Sequence, residues 1–184
     1  SSEYLTRLVS AFLDQAKFQV EGVQLNSTPF HLKELIQFIE PKANILGKEK
    51  TITFESWLDP TLPKIINGDM FRIQQIVFNL VSNAIKFTEQ GKVTLSFFRE
   101  SSNQWSIQVT DTGVGIAKED QARIFNPFQQ INDTTVHQNG TGLGLTIVDQ
   151  LVTAMDGAIE IKSEENMGSK FVVRLPLHPV TEKV

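Results

Sequence analysis

The 184-residue chain carries 17 Lys and Arg against 21 Asp and Glu, a formal charge of -4, and no cysteine. This length suffices for one well-buried domain with a short appendage. The missing thiols exclude a disulfide framework and a thiolate metal site, and the mild acidity argues against a partner that is a nucleic-acid backbone.

No stretch approaches the roughly 18 apolar residues of a membrane span, and no signal peptide is visible. These features point to a soluble α/β or α+β domain from a reducing compartment. His31, His137 and His178 are far apart in sequence and suggest no metal cluster.

In chain order, Leu5, Leu8, Val9, Phe12, Leu13 and Ala16 recur at spacings of three and four, which predicts a helix over residues 3–20 closed by Gly22. Residues 23–30 alternate weakly up to Pro29 and read as a short edge strand. A second helix is predicted over about 31–46, with Pro41 marking a kink or an early end. Residues 50–57 alternate as a strand, with Ile52, Phe54 and Ser56 on one face, and DPTLPKIING reads as turns.

A long helix then starts at the N-cap Asp69 and runs to about Phe87. Residues 91–100 and 103–111 follow as two strands joined by a polar turn. After DTGVGI comes a short acidic helix, roughly 117–124. Residues 126–141 are polar, lack periodicity, and read as a long functional loop or lid that includes His137. A helix resumes over about 142–155, GAIEIKS and GSKFVVRLPL form a hairpin, and HPVTEKV is a tail. The expected architecture is an α/β two-layer sandwich: a mostly antiparallel mixed sheet covered on one face by helices.

Three segments carry candidate chemistry. On the long helix Ile73, Ile76, Val77, Leu80, Val81 and Ala84 form the core stripe. Gln75, Asn79, Asn83 and Lys86 share another face at spacings of four, four and three. Asparagine is a poor helix-interior residue, so two of them in one stripe fit a site as well as they fit a solvated surface. An amide oxygen suits Mg2+ and a lysine suits phosphate.

In VTDTGVGI, Asp111 offers an acceptor-only carboxylate at a strand end, and Gly113 and Gly115 permit close approach of a ligand. The carboxylate could meet a purine amine, or simply cap its own turn. In GTGLGL, Gly140, Gly142 and Gly144 open a helix and expose amide groups suited to an anion. No G-x-G-x-x-G unit and no P-loop is present.

Together these motifs resemble the catalytic and ATP-binding domain of bacterial sensor histidine kinases, whose Bergerat-type fold is shared with Hsp90, type II topoisomerases and mismatch-repair ATPases. The resemblance covers about residues 29–176. NLVSNAIKFT is similar to the N box, DTGVGI to the first glycine box, FNPF to the F box and GTGLGL to the second glycine box, in the family's order.

The resemblance implies ATP and Mg2+ as ligands. Asn83 would hold the metal, with Asn79 and Lys86 supporting the metal and phosphates and Gln75 peripheral. Asp111 would recognise the adenine amine, within a pocket shaped by Gly113, Gly115 and Ile116. Gly140, Thr141, Gly142, Leu143, Gly144 and Leu145 would form the phosphate side of a lid positioned by Phe125 and Phe128. Asn126 departs from the family, which commonly has Glu there, and puts some hydrogen bonding near the lid in doubt.

The resemblance further implies a domain plan. Residues 1–22 would be the end of a second dimerisation helix and its linker, 23–177 the catalytic domain and 178–184 a tail. The implied reaction is transfer of the γ-phosphate to a histidine on a dimerisation domain, for relay to a receiver aspartate of a hybrid kinase or of a response regulator. The implied setting is a fragment, monomeric by itself, of a larger homodimeric receptor, with this domain cytoplasmic and the whole protein in the bacterial inner membrane. Three alternatives remain. One is an ATP-hydrolysing relative, although such relatives carry a water-activating Glu where this chain has Asn79, and an amide cannot serve as that base. The others are a serine-kinase relative and a degenerate nucleotide-binding scaffold.

Overall fold

Apolar periodicity and turn chemistry set the elements of the computed structural model, which describes residues 2–129 and 141–180. Helix α1 spans Ser2–Glu21 and α2 spans Leu32–Gly47. Helix α3 spans Met70–Lys86 and α4 spans Gly144–Ala154. The strands are β1 Thr28–His31, β2 Thr51–Leu58, β3 Ile65–Gly68, β4 Gln90–Arg99, β5 Gln104–Asp111, β6 Ala158–Glu164 and β7 Gly168–Pro176.

Five strands form one sheet in the order β2-β4-β5-β7-β6, and β1 pairs with β3 in a separate ribbon. All pairings in the large sheet are antiparallel except β2 with β4, which run parallel from Thr51↔Gln90. Helix α3 packs between α2 and α4 and lies over β5.

Alternation along the strands decides which face the helices cover. Val93, Leu95 and Phe97 of β4, Trp105, Ile107 and Val109 of β5, and Phe171, Val173 and Leu175 of β7 are buried. They meet Ile73, Ile76, Val77, Leu80, Val81 and Ala84 of α3 in one core. Each such Val, Leu, Ile or Phe side chain contributes on the order of 1.5–3 kcal/mol by leaving water. The expected two-layer sandwich with its mixed, mostly antiparallel sheet is the observed fold.

Several elements differ from the sequence expectation. The strand read over 23–30 is confined to Thr28–His31, and its partner β3 lies inside the segment read as turns. Pro41 neither ends α2 nor stops it short of Gly47, and the Lys42 ammonium donates to the Phe38 carbonyl beside it. The acidic helix expected over 117–124 is a run of turns, with bonds such as Asp120 N to Ala117 O and Arg123 N to Asp120 O. Eight residues are too few to repay helix nucleation, and Gln121 turns its amide to the Ile116 and Ser163 carbonyls instead. Helix α4 starts at Gly144, two residues later than read. Beyond β7, Pro179 bridges Ile66, and Asn67 N donates to the His178 carbonyl, so the first part of the C-terminal segment is tied to β3.

Candidate functional site

Asp69 fixes where α3 begins. One carboxylate oxygen accepts the Arg72 amide at 3.0 Å, a helix N-cap, while the other accepts the Asn26 amide at 2.8 Å and ties the preceding segment to the helix. With that start, Asn79, Asn83 and Lys86 fall on a half-buried face beside the core stripe. Gln75 stands apart from them in its bonding, accepting from the Arg72 guanidinium at 3.1 Å.

Among the described residues no hydrogen bond engages the side-chain amide of Asn79 or Asn83. The second glycine cluster comes directly over this face: a Cβ built on Gly144 would lie 3.3 Å from Asn79 Oδ1. Lys86 rests its ammonium 5.0 Å from the centre of the Phe87 ring. Burial, and then the nearby charge of Lys50, holds its pKa below the ordinary 10.5. An ammonium that is costly to keep charged gains when a phosphate arrives.

Asp111 ends β5 with only 6% of its surface exposed. Its Oδ1 accepts the Gly113 amide at 2.9 Å and the Ser169 amide at 3.3 Å. Burial pushes its pKa above 3.8, and these two bonds oppose the shift without cancelling it. Sequence reasoning missed Ser169, which faces Asp111 across the β5–β7 pair. Nothing in the local sequence marks a residue 58 positions away as a partner.

The first glycine cluster is pinned on two sides. Val114 N donates to the Phe87 carbonyl at the end of α3, and Asn166 N donates to the Val114 carbonyl from the β6–β7 turn. Ile116 N donates to the Ser163 hydroxyl at 2.8 Å, a second partner that the sequence did not reveal. Gly113 sits against α3, where a Cβ would come within 2.8 Å of Thr88 Oγ1. Gly115 has φ +68, and a Cβ there would fall on the Glu164 carbonyl. Gly115→Ala is therefore expected to cost about 2 kcal/mol, lowering Tm by roughly 4–8 °C at this chain length. A circular-dichroism melt superimposable on the parent's would refute this packing.

The F-box residues meet the second glycine cluster. Thr146 of α4 donates its hydroxyl to the Phe125 carbonyl at 2.9 Å, and Phe128 N donates to the Gly142 carbonyl at 3.0 Å. Phe125 packs partly on the core, whereas the Phe128 ring is exposed. Asn126 is exposed, and its main chain links Arg123 to Gln129, so the turn forms with Asn in that place. Thr141 Oγ1 accepts the Leu143 amide at 3.3 Å. The Leu143 side chain is wholly buried, which leaves only its main chain for a ligand. Leu145 and Ile116 pack partly against the core. Gly140 and His137, with the rest of the loop at 130–140, lie outside the described residues.

The geometry thus joins an amide-and-ammonium face on α3 to a buried carboxylate through one turn, and sets a glycine-opened helix above it. The family model described as histidine kinase-, DNA gyrase B- and HSP90-like ATPase matches residues 68–179. The chain belongs to this family. Within it, the domain is of the sensor histidine kinase type.

The sensor histidine kinase RcsC of Escherichia coli K12 is 40% identical over 180 residues, covering 97% of this chain and 19% of RcsC. Full-length ShkA, solved in complex with AMPPNP, superposes with a TM-score of 0.85 at 32% identity over 96% of this chain and 36% of ShkA. The catalytic domain of the histidine kinase ThkA gives a TM-score of 0.65 at 30% identity, over 84% of this chain and 99% of that domain. The chain therefore spans a small part of RcsC and ShkA but nearly the whole of the isolated ThkA domain.

Proposed function

We propose that this chain binds Mg·ATP and presents its γ-phosphate to a histidine on a dimerisation domain, for onward passage to a receiver aspartate. The observation that carries this reading is the pairing of half-buried Asn79 and Asn83 amides, which no hydrogen bond engages among the described residues, with Lys86 on one face of α3, tied through Phe87 O and Val114 N to Asp111. The likeness to RcsC, and to ShkA with its bound AMPPNP, supports it.

The residues fit the ligands they would hold. The Asn83 amide oxygen is a hard donor of the kind Mg2+ takes alongside phosphate and water. Bound Mg2+ would supply charge neutralisation at the phosphates. Asn79 orients that region from one turn away, and Lys86 adds a point charge whose desolvation a phosphate relieves. Asp111, holding Gly113 and Ser169 with one oxygen, offers the other to the exocyclic amine of adenine. The main chain of residues 141–145 would donate to phosphate oxygens, with Phe125 O bound by Thr146 and Phe128 N bound to Gly142 O beside it.

In the reaction the bond from the γ-phosphorus to the bridging oxygen of ADP breaks and a bond to an imidazole nitrogen forms. Positioning and electrostatics carry most of such a transfer. Asn79 stands where hydrolytic relatives need a general base, which favours transfer to protein over transfer to water. The full-length protein is proposed to be a homodimeric, membrane-anchored hybrid kinase with this domain on the cytoplasmic side. No helix among the described residues is long and apolar enough to cross a membrane.

A direct check is labelled γ-phosphate transfer to a histidine-bearing dimerisation fragment supplied in trans. Acid-labile, base-stable label on the fragment, and none on this chain alone, is the expected result. Nucleotide binding without any transfer to several cognate fragments would reject the kinase reading in favour of a nucleotide-binding scaffold.

A further inference from the structure

The carboxyl end of α3 leaves carbonyls that no later helical turn can satisfy. Their partners can be traced one by one. Asn83 O accepts Phe87 N, and Ala84 O accepts the buried Thr88 hydroxyl at 2.7 Å. Phe87 O accepts Val114 N from the first glycine cluster.

The carbonyls of Ile85, Lys86 and Thr88 converge on one group, the Lys50 ammonium, at 3.1, 2.7 and 3.1 Å. Its three donors are shared among these carbonyls and the Glu89 carboxylate, which lies at 3.1 Å as an ion pair. Lys50 comes from outside the helix, at the last position before β2. The parallel pairing of β2 with β4 starts at Thr51↔Gln90 and so brings the residue before β2 onto the α3–β4 junction. A cation there also opposes the negative end of the helix dipole.

We propose that Lys50 is a positioning residue for the nucleotide: by tying off the end of α3 it fixes the spacing between Lys86 and the turn at 111–115. This role rests on the Mg·ATP reading given above. Residues 85–88 are the shared wall of both halves of the site. Lys86 shares the α3 face of Asn79 and Asn83 and rests its ammonium over the Phe87 ring, Phe87 O holds Val114, and Thr88 lies against Gly113. If the end of α3 frays, both halves move. Lys50 would touch no atom of the nucleotide.

The test is Lys50→Met, which keeps the apolar stem and deletes the charge and the three donors. Calorimetric titration with ADP·Mg is run well below the unfolding transition of each protein. The variant is expected to bind about tenfold more weakly, the cost of leaving charge-assisted bonds unmade. A purely structural cap would lower Tm yet leave the dissociation constant of the folded protein unchanged, and that result overturns the proposal while the Mg·ATP reading stands. A parent chain that binds no ADP·Mg removes that reading itself, and the Lys50 role with it.

Should Lys50→Met lose the parent's far-ultraviolet dichroism, the unmodified chain decides. The Lys50 ammonium and Val114 amide resonances are expected to shift together on ADP·Mg titration and saturate at the same concentration. Movement of Val114 with Lys50 unmoved would overturn the proposal.

Discussion

Asp111→Asn is expected to remove nearly all nucleotide binding while leaving the fold at least as stable as the parent. The Asp111 oxygen that accepts the Gly113 and Ser169 amides can be matched by an amide oxygen, so the turn keeps its two bonds. The other carboxylate oxygen becomes an NH2 group. On the proposed reading it then faces the adenine amine donor to donor, at a residue only 6% exposed. The penalty is about 100-fold in affinity, roughly 3 kcal/mol, the scale of a mismatched buried polar pair.

Stability should move the other way. Burial raises the pKa of Asp111 in the folded protein above the unfolded 3.8, so the folded state holds its proton more tightly. The ionised form therefore costs stability once pH rises through the folded pKa, and that cost vanishes below 3.8. The Asn variant, neutral throughout, is expected to melt at or above the parent's Tm at neutral pH, with the difference closing as the solution is acidified. Calorimetric titration with ADP·Mg and a series of melts from neutral to acid pH check both halves. Parent-like affinity would take Asp111 out of the pocket, and a neutral-pH melt far below the parent's would mean that the charge holds the fold.

The contrast between what could and could not be read from the sequence follows the range of the interactions. Helix α3 was legible because an N-cap, an apolar stripe and a polar stripe all lie within its own residues. Strands β4 to β7 were legible because each alternates against a single covered face. Strand β3 was not, since Pro60 and Pro63 precede it and the strand it pairs with is β1, far back in the chain. The turns at 117–124 misled because their charges mimic an acidic helical surface, whereas Gln121 and Arg123 are committed to bonds outside any helix.

The same holds within the site. Asn79, Asn83 and Lys86 announce a shared face by spacing, and the glycine clusters announce themselves by composition. Ser163 and Ser169 support the first cluster from strands 47 and 58 residues away, and the parallel register of β2 with β4 determines that Lys50 reaches the end of α3. Such pairings exist only once the sheet order is known. Local pattern marked the groups proposed to touch the nucleotide, and tertiary structure was needed to find the residues packed and bonded around them.

Asn83→Asp is expected to separate catalysis from folding. Asn83 lies on α3 one turn after Asn79 and three residues before Lys86, off the stripe of Ile76, Val77, Leu80 and Ala84 that fills the core. Its side chain is half-buried, and the substitution changes neither its size nor its place on the helix. The expected change in stability is within about 0.5 kcal/mol, or roughly 2 °C in Tm. A carboxylate remains a hard oxygen donor, so Mg2+ itself would not be refused. What changes is charge: a full negative charge would stand beside the triphosphate, countered locally by a Lys86 that already resists ionisation.

Phosphotransfer to a dimerisation fragment is expected to fall about 100-fold, the scale on which one misplaced electrostatic group acts on a charged transition state. Initial rates of labelled transfer, set beside melts of the same preparations, separate the two effects. A variant that unfolds yet transfers at the parent's rate in its residual folded fraction would place Asn83 in the core and not at the metal. A variant that folds and transfers normally would leave Asn79 as the amide on α3 best placed to hold the metal.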